Sequence, residues 1–273
     1  MKSSDSILYT IFTPTFNRAH TLERCYYSII HQNEDSLEWI VIDDGSTDNT
    51  EDIIANLISI DKIKIRYIYQ MNAGKQAAWN KAAEEADGKF FICLDSDDEL
   101  VPNALKRLFP YLKKIETLKE IIGIRAVAIK DTTLSADSSF SANSDRIASW
   151  FDEFSSRQLG ERIDVLKTNE IKKYPYPVIY GVKYIPEVWF YVITAHNGFS
   201  FLYINEHIRI FHDAHRHLRL SKSKLSQHFR GHLISRGVML RYIPPAAFMK
   251  NPISFFKTLV RFIQCSILNW FKK

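Results

Sequence analysis

Cysteine is scarce and poorly placed for cross-linking: Cys25, Cys93 and Cys265 are the only three in 273 residues, an odd set with no CxxC pair. That excludes a disulfide framework and a closed structural zinc site, and it fits a reducing cytoplasm. No uninterrupted apolar run reaches the roughly 18 residues of a membrane-crossing helix. The opening MKSSDSILYTIFT is too short in its apolar part for a secretory signal and soon meets Asn17 and Arg18, so it reads as a first strand. Low-complexity tracts are missing, as is any repeat of roughly 20 to 50 residues, which argues against linkers and solenoids. Acidic residues are nearly absent from one end. From His207 to Lys273 there are 13 Lys or Arg and one acid, Asp213, against 23 basic and 30 acidic residues before. The net charge of +5 therefore hides an acidic body and a basic tail. Nucleic acid, anionic lipid or a phosphorylated substrate could each meet such a tail on composition alone.

What is present is a core. With 46% apolar and 13% aromatic residues, the chain has the make-up of a globular, enzyme-sized protein. One pattern occurs four times before residue 115: a short β-branched or aromatic run, a polar turn, then a segment of helical period. ILYTIFT leads to TLERCYYSIIHQ, LEWIVID to TEDIIANLI, IKIRYIY to KQAAWNKAAEEA, and KFFICLD to PNALKRLFPYLKKI. Strands alternating with helices predict an α/β fold with a mostly parallel central sheet and helices on both faces. Right-handed crossovers then bring the turns PTFNRAH, DGSTDN, QMNAG and DSDDELV to one rim, where open α/β sheets bind ligands. Asp98 or Glu99 ahead of Pro102 suits a helix start, and Asn49 or Thr50 suits a cap for TEDIIANL. IIGIRAVAIK at 121–130 reads as another strand, and 131–146 as an exposed excursion. Residues 149–184, broken by Pro175 and Pro177, are expected to shape an acceptor side.

Four acidic residues in LDSDDEL directly follow the apolar strand KFFICL. Mg²⁺ and Mn²⁺ take oxygen ligands and share them with substrate phosphates, so Asp95, Asp97 and Asp98 point to a metal-diphosphate site. The competing reading is an acidic first turn for the following helix. In IVIDDGSTDNT, Asp43 could accept a hydrogen bond from a base or ribose, whereas Asp48 fits a simple cap. Pro14 and Phe16 end the first strand, where a ring could stack on a base or pack in the core. In NAGKQAAWN, Gly74 and Lys75 open a helix whose free N–H groups and ammonium would favour phosphate; an ordinary surface lysine is the plain alternative for Lys75.

Together, TIFTPTFNR, IVIDDGSTDNT, NAGKQAAWNKAAEEADG and FFICLDSDDEL resemble the nucleotide-binding half of family 2 glycosyltransferases, inverting enzymes of the GT-A fold. The resemblance covers roughly residues 7–115. It implies a Rossmann-like sheet and a metal-dependent glycosyltransferase carrying a DxD motif. It also implies that Asp43 contacts the base of a nucleoside diphosphate sugar, by precedent a UDP-sugar, with Pro14 and Phe16 framing that base. Asn72 and Lys75 would contact the donor, Asp95 ribose or metal, and Asp97 the Mg²⁺ or Mn²⁺ ion. Trp79 departs from the pattern, standing where many members have Arg. Many inverting members also carry a Glu-Asp pair at a later helix start, whose carboxylate deprotonates the acceptor. The best counterpart is Glu187 after Pro186, with Val188 in place of the Asp. Asp164 and Glu206 are weaker substitutes, and a helix-favouring carboxylate is the plain alternative for Glu187.

Expected organisation is 1–115 for donor binding, 116–206 for the acceptor side, and 207–273 for a basic loop and an amphipathic helical tail. Six of nine histidines lie between His207 and His232, but His212, His215 and His217 match no closed zinc spacing. That segment could instead fold over the diphosphate, with Arg219, Lys222 or a His offering positive charge. NPISFFKTLVRFIQCSILNWFKK predicts a basic amphipathic helix for an anionic membrane surface, or else a helix docked on the core. The expected partners are a nucleotide-sugar donor, a glycan or lipid-linked acceptor of surface polysaccharide synthesis, and peripheral membrane contact at the cytoplasmic face, with no nucleic acid. A non-catalytic nucleotide-sugar-binding homologue and a sugar-phosphate nucleotidyltransferase are the alternatives; the latter would carry a Gly-rich basic loop where PTFNRAH stands.

Overall fold

A computed structural model describes residues 7–212 and 224–271; His215, His217, Arg219 and Lys222 lie outside the described residues. The amino-terminal half runs β1 (Tyr9–Thr15), α1 (Ala19–Ile30), β2 (Leu37–Asp43), α2 (Thr50–Ser59), β3 (Lys64–Tyr69), α3 (Lys75–Glu85), β4 (Phe90–Cys93), β5 (Glu99–Leu100) and α4 (Ala104–Ile115). Then follow β6 (Ile121–Lys130), β7 (Arg146–Ala148), α5 (Trp150–Ser156), β8 (Arg162–Lys167), α6 (Thr168–Ile171), α7 (Val188–His196) and β9 (Ser200–Phe211). The chain closes with α8 (Leu225–Tyr242), α9 (Pro245–Lys250) and α10 (Pro252–Phe271).

Among the described residues the strands form one sheet in the order β3-β2-β1-β4-β8-β6-β9-β5, with β7 paired to β9. Strand β2 is buried throughout, as its run Leu37, Trp39, Ile40, Val41 and Ile42 requires of a strand covered on both faces. Side chains alternate along it. Trp39 and Val41 join Ile11, Leu22 and Ile29 on the face covered by α1, α2 and α4. Ile40 and Ile42 join Phe12, Phe91 and Phe190 under α3, α5, α7 and α8. The Trp39 indole N–H donates to Thr13 Oγ1 at 2.9 Å, so this large buried ring leaves no orphan donor.

β1, β2, β3 and β4 are mutually parallel, as expected for the first half. The second half is mixed: β8 runs antiparallel to both β4 and β6, and β9 is parallel to β6. Other local expectations shift. Residues Glu99–Leu100 pair with β9 instead of starting a helix, and α4 begins only after Asn103, whose φ of 59° breaks the chain direction. Asn49 makes no side-chain cap; Asp48 serves instead, accepting from Thr50 N–H at 3.2 Å and from Ala19 N–H at the start of α1 at 3.1 Å. The 131–146 excursion is pinned, because Phe140 is buried against Tyr203 and Arg162 donates to Ser138 and Ser141. Strand β9 carries on through His207 to Phe211, past the expected boundary at 206.

Two glycines fix the segment that leads into α7. A Cβ on Gly74 would lie 2.1 Å from the Lys183 carbonyl oxygen, and one on Gly231 would lie 1.7 Å from that of Tyr184. The stretch from Lys183 to Ile185 is thus clamped between the start of α3 and the middle of α8. Gly231→Ala is expected to cost about 1–3 kcal/mol through overpacking. Denaturant unfolding checks it; an unchanged midpoint would show that α8 can move off this segment freely.

Candidate active site

The carboxyl ends of β1, β2 and β4 open on a cleft of about 720 Å³. All four expected turns contribute: Pro14 at the end of β1 with Phe16 and Arg18 after it, Asn72, Gly74 and Lys75 at the start of α3, and Asp95, Asp97 and Asp98 after β4. The β2 turn enters through Asp44. Phe16 is 47% exposed on this wall, an unusual place for a ring that packing alone would bury.

Asp43 does not line the cleft. It is 1% exposed, and its oxygens accept from the Ser46 N–H at 2.8 Å and the Tyr67 hydroxyl at 2.7 Å, so it builds the turn and ties β2 to β3. Asp44, next along the alternating backbone, reaches the wall and accepts from the Ala73 and Gly74 N–H groups at 2.8 Å each. Asn72 stands beside it, its carbonyl accepting from the Lys183 ammonium.

The centre of the cleft is ionic. Lys75 Nζ lies 2.8 Å and 3.1 Å from the two oxygens of Asp95 and 2.9 Å from Glu187 Oε1. Burial works against the charge on Lys75, but Asp95 and Glu187 outweigh it and hold the ammonium protonated well above its ordinary range. Asp97 faces Arg18 at 3.7 Å, while its main-chain carbonyl accepts from Arg24. Asp98 turns inward: it is buried, lies 3.2 Å from Arg209 Nη1, and accepts from the His212 N–H at 3.4 Å. Burial pushes the Asp98 carboxyl up to about 7, with Arg209 opposing the rise and Asp95 and Asp97 adding to it. Arg209 also reaches Glu161 at 2.8 Å, which fixes the far wall.

Glu187 sits at the N-terminal boundary of α7, directly after Pro186, with its side chain half exposed into the cleft. The expected substitutes go elsewhere. Asp164 is sealed in the core, accepting from the Tyr191 hydroxyl at 2.8 Å with Arg125 Nε at 3.3 Å, so it helps to hold α7 on the sheet. Glu206 lies on β9 and pairs with Arg107 at 3.4 Å. Trp79 stays off the cleft, its ring packed against Phe12, Phe91, Tyr176 and Phe190. Hence no cation from position 79 reaches the cleft, and Lys75 supplies one. The ring nitrogens of His212 face Glu99 at 2.7 Å and Asp131 at 2.9 Å, while His215 and His217 lie outside the described residues.

Among the described residues, no group of three or more His, Cys, Asp or Glu side chains gathers to hold an ion. The donor chemistry nonetheless fits a hard cation that takes one or two carboxylates and completes its shell with phosphate oxygens and water. Asp95 and Asp97 on the wall offer those carboxylates.

A family model described as Glycosyl transferase family 2 matches residues 10–176, more than half of the chain and every donor-side element just described. The chain belongs to family 2 of the glycosyltransferases. Within the family, it is 39% identical over 101 residues to the GalNAc(5)-diNAcBac-PP-undecaprenol beta-1,3-glucosyltransferase of Campylobacter jejuni, covering 36% of this chain and 32% of that one. The chain spans half or less of the length of the curated relatives it matches. Its family 2 fold is of GT-A type. Over 94% of its length it is similar to S. aureus TarS 1-349 in complex with UDP-GlcNAc (TM-score 0.68, 15% identity, 72% of that chain). Over 95% it is similar to the mannosyltransferase PcManGT of Pyrobaculum calidifontis in complex with GDP-Man and Mn²⁺ (TM-score 0.63, 15% identity, 73% of that chain).

Arg209, Glu161, Lys183 and Tyr184 complete the family 2 cleft without having been singled out in the sequence. Arg209 alone left a trace there, as a charged residue inside the apolar run IRIF.

Proposed function

We propose that the chain transfers a sugar, with inversion, from a nucleoside diphosphate sugar to a hydroxyl of a glycan or lipid-linked acceptor, in surface polysaccharide synthesis at the cytoplasmic face of a membrane. The observation that carries this reading is the Lys75 ammonium, which bridges a carboxylate of the β4 turn, Asp95, and the carboxylate at the start of α7, Glu187, inside one cleft. The UDP-GlcNAc complex of a structural neighbour supports a UDP-sugar as donor.

In this mechanism Phe16 and Pro14 frame the base, and Asp44 and Asn72 flank the nucleoside. Asp43 acts through the turn it builds. Asp95 and Asp97 would hold Mg²⁺ or Mn²⁺, which supplies charge stabilisation to the departing diphosphate when bound. Glu187 Oε accepts the proton of the acceptor hydroxyl as the acceptor oxygen bonds to the anomeric carbon. The bond from that carbon to the diphosphate oxygen breaks, and the electron pair leaves with the nucleoside diphosphate. Attack from the face opposite the leaving group inverts the anomeric centre. Lys75, released from the carboxylates, places its charge on the diphosphate.

The experiment is a panel of UDP- and GDP-sugars with Mn²⁺ and candidate acceptors, read as nucleotide release and product configuration. Retention at the anomeric carbon would sink the single-displacement mechanism. Lys75→Met should weaken UDP binding about tenfold or more, the worth of a charge-assisted hydrogen bond. Calorimetric titration measures it; an unaltered Kd would leave Lys75 as a structural clamp only.

A further inference from the structure

Helix α10 is apolar on two sides, and among the described residues only one of them packs within the protein. Thr258 and Cys265 are buried against α8, where Thr258 Oγ1 lies 3.9 Å from Met239 Sδ and a Cβ on Gly237 would lie 3.4 Å from the Phe262 ring. On the outer side Ile253, Phe256, Val260, Ile263, Ile267 and Trp270 are all about half exposed or more, and Trp270 reaches 79%. Their spacing of three and four residues makes one straight stripe along the helix. Lys257 and Arg261 are exposed beside it. From 224 to 271 the sequence holds seven Lys or Arg and no acid.

Along the helix axis, the far end of the stripe lies level with the end of α8 that lines the cleft. Contacts at Met239–Thr258 and Gly237–Phe262 show that α10 runs antiparallel to α8. At a rise of about 1.5 Å per residue, Trp270 lies some 12 Å beyond Phe262, level with the first turns of α8. His228, in those turns, lines the cleft. At the same end of α8, a Cβ on Gly181 would lie 3.9 Å from Arg230 Nη1, and the loop tip before it, Val178 to Tyr180, is apolar with Tyr180 fully exposed.

We propose that the outer stripe of α10, with the Val178 to Tyr180 tip as a second contact, docks on an anionic phospholipid bilayer and sets the mouth of the cleft at the lipid surface. Apolar side chains including Trp, Phe and Ile enter the interface while the flanking cations meet lipid phosphates. A second copy of the chain fits the stripe poorly. Pairing two such helices would bring Lys257 and Arg261 of each to the seam with no carboxylate on either helix to answer them. A spanning role is excluded for the described helices, none of which is long and apolar enough to cross a membrane. The consequence for the acceptor, that a lipid-linked hydroxyl is presented directly to Glu187, rests on the transferase reading above.

The test is co-sedimentation of the full chain with vesicles of phosphatidylcholine alone or mixed with phosphatidylglycerol, alongside calorimetric titration of the same samples with UDP or GDP and Mn²⁺. Wild type should bind the mixed vesicles, bind phosphatidylcholine alone more weakly, and release with rising salt. The double variant Phe256→Asp with Ile263→Asp should lose vesicle binding about tenfold or more, and Tyr180→Ser should weaken it to a smaller degree. All three substitutions are at exposed positions, and unchanged UDP binding certifies the fold. Vesicle binding equal in the double variant and wild type would overturn the proposal. So would a wild-type dimer in sedimentation velocity that the double variant abolishes without vesicles. Failure of vesicle binding with UDP binding intact rejects the docking surface alone; failure of wild type to bind either UDP or GDP, with vesicle binding intact, rejects the transferase reading alone.

Discussion

Asp97→Ala is expected to lower nucleotide-sugar turnover about a thousandfold, the loss of several kcal/mol of charge stabilisation at the leaving diphosphate. Asp97 is the more telling of the two wall carboxylates. Asp95 is held on both oxygens by Lys75, so its replacement would also release Lys75 and Glu187 and mix two effects. Asp97 faces Arg18 at 3.7 Å, while Lys75 pairs with Asp95 and Glu187. Its main-chain contact with Arg24 survives the substitution. Nucleotide release at saturating donor measures the effect. The accompanying signature is a loss of the Mn²⁺ dependence of UDP binding; wild-type turnover in Asp97→Ala would remove the metal from this turn.

Glu187→Gln is expected to reduce kcat by a factor of about 10²–10⁴, the usual contribution of a positioned general base. KM for the donor should change by much less, because donor contacts come from the other wall of the cleft. The amide keeps the size of the side chain and can still accept from Lys75, so the clamp between α3 and α7 remains filled. Donor hydrolysis and transfer are to be measured separately. A fall in donor affinity with kcat unchanged would recast Glu187 as a donor-binding residue and send the search for the base to Glu161, the other cleft carboxylate on the acceptor side.

The amino-terminal half was legible because each β-strand there ends in a polar turn, and parallel topology fixes where such turns meet. Which carboxylate of a turn faces the cleft was not. Asp43 and Asp44 differ by one backbone step, and Tyr67 on a neighbouring strand captures Asp43. In the same way Asp98 turns inward because Arg209, more than a hundred residues away, waits beneath it. Neither partner is visible in a local window. The acceptor half was harder still. The sequence placed Glu187 at a helix start through Pro186, but the clamp that aims it depends on Gly74 and Gly231 meeting the segment from Lys183 to Ile185 from both sides. For α10 the sequence showed a broad apolar face. Only packing on α8 divides it into an inner side at Thr258 and Cys265 and an outer side from Ile253 to Trp270.

The most direct measurement is release of UDP or GDP from their sugars by the purified chain in Mn²⁺, with and without EDTA. A donor-sugar site at the rim requires turnover of at least one UDP- or GDP-sugar that EDTA stops and Mn²⁺ restores. Turnover that persists in EDTA, or a chain that binds neither UDP nor GDP nor any sugar of either, would contradict the assignment of Asp95, Asp97 and Lys75 to the donor diphosphate.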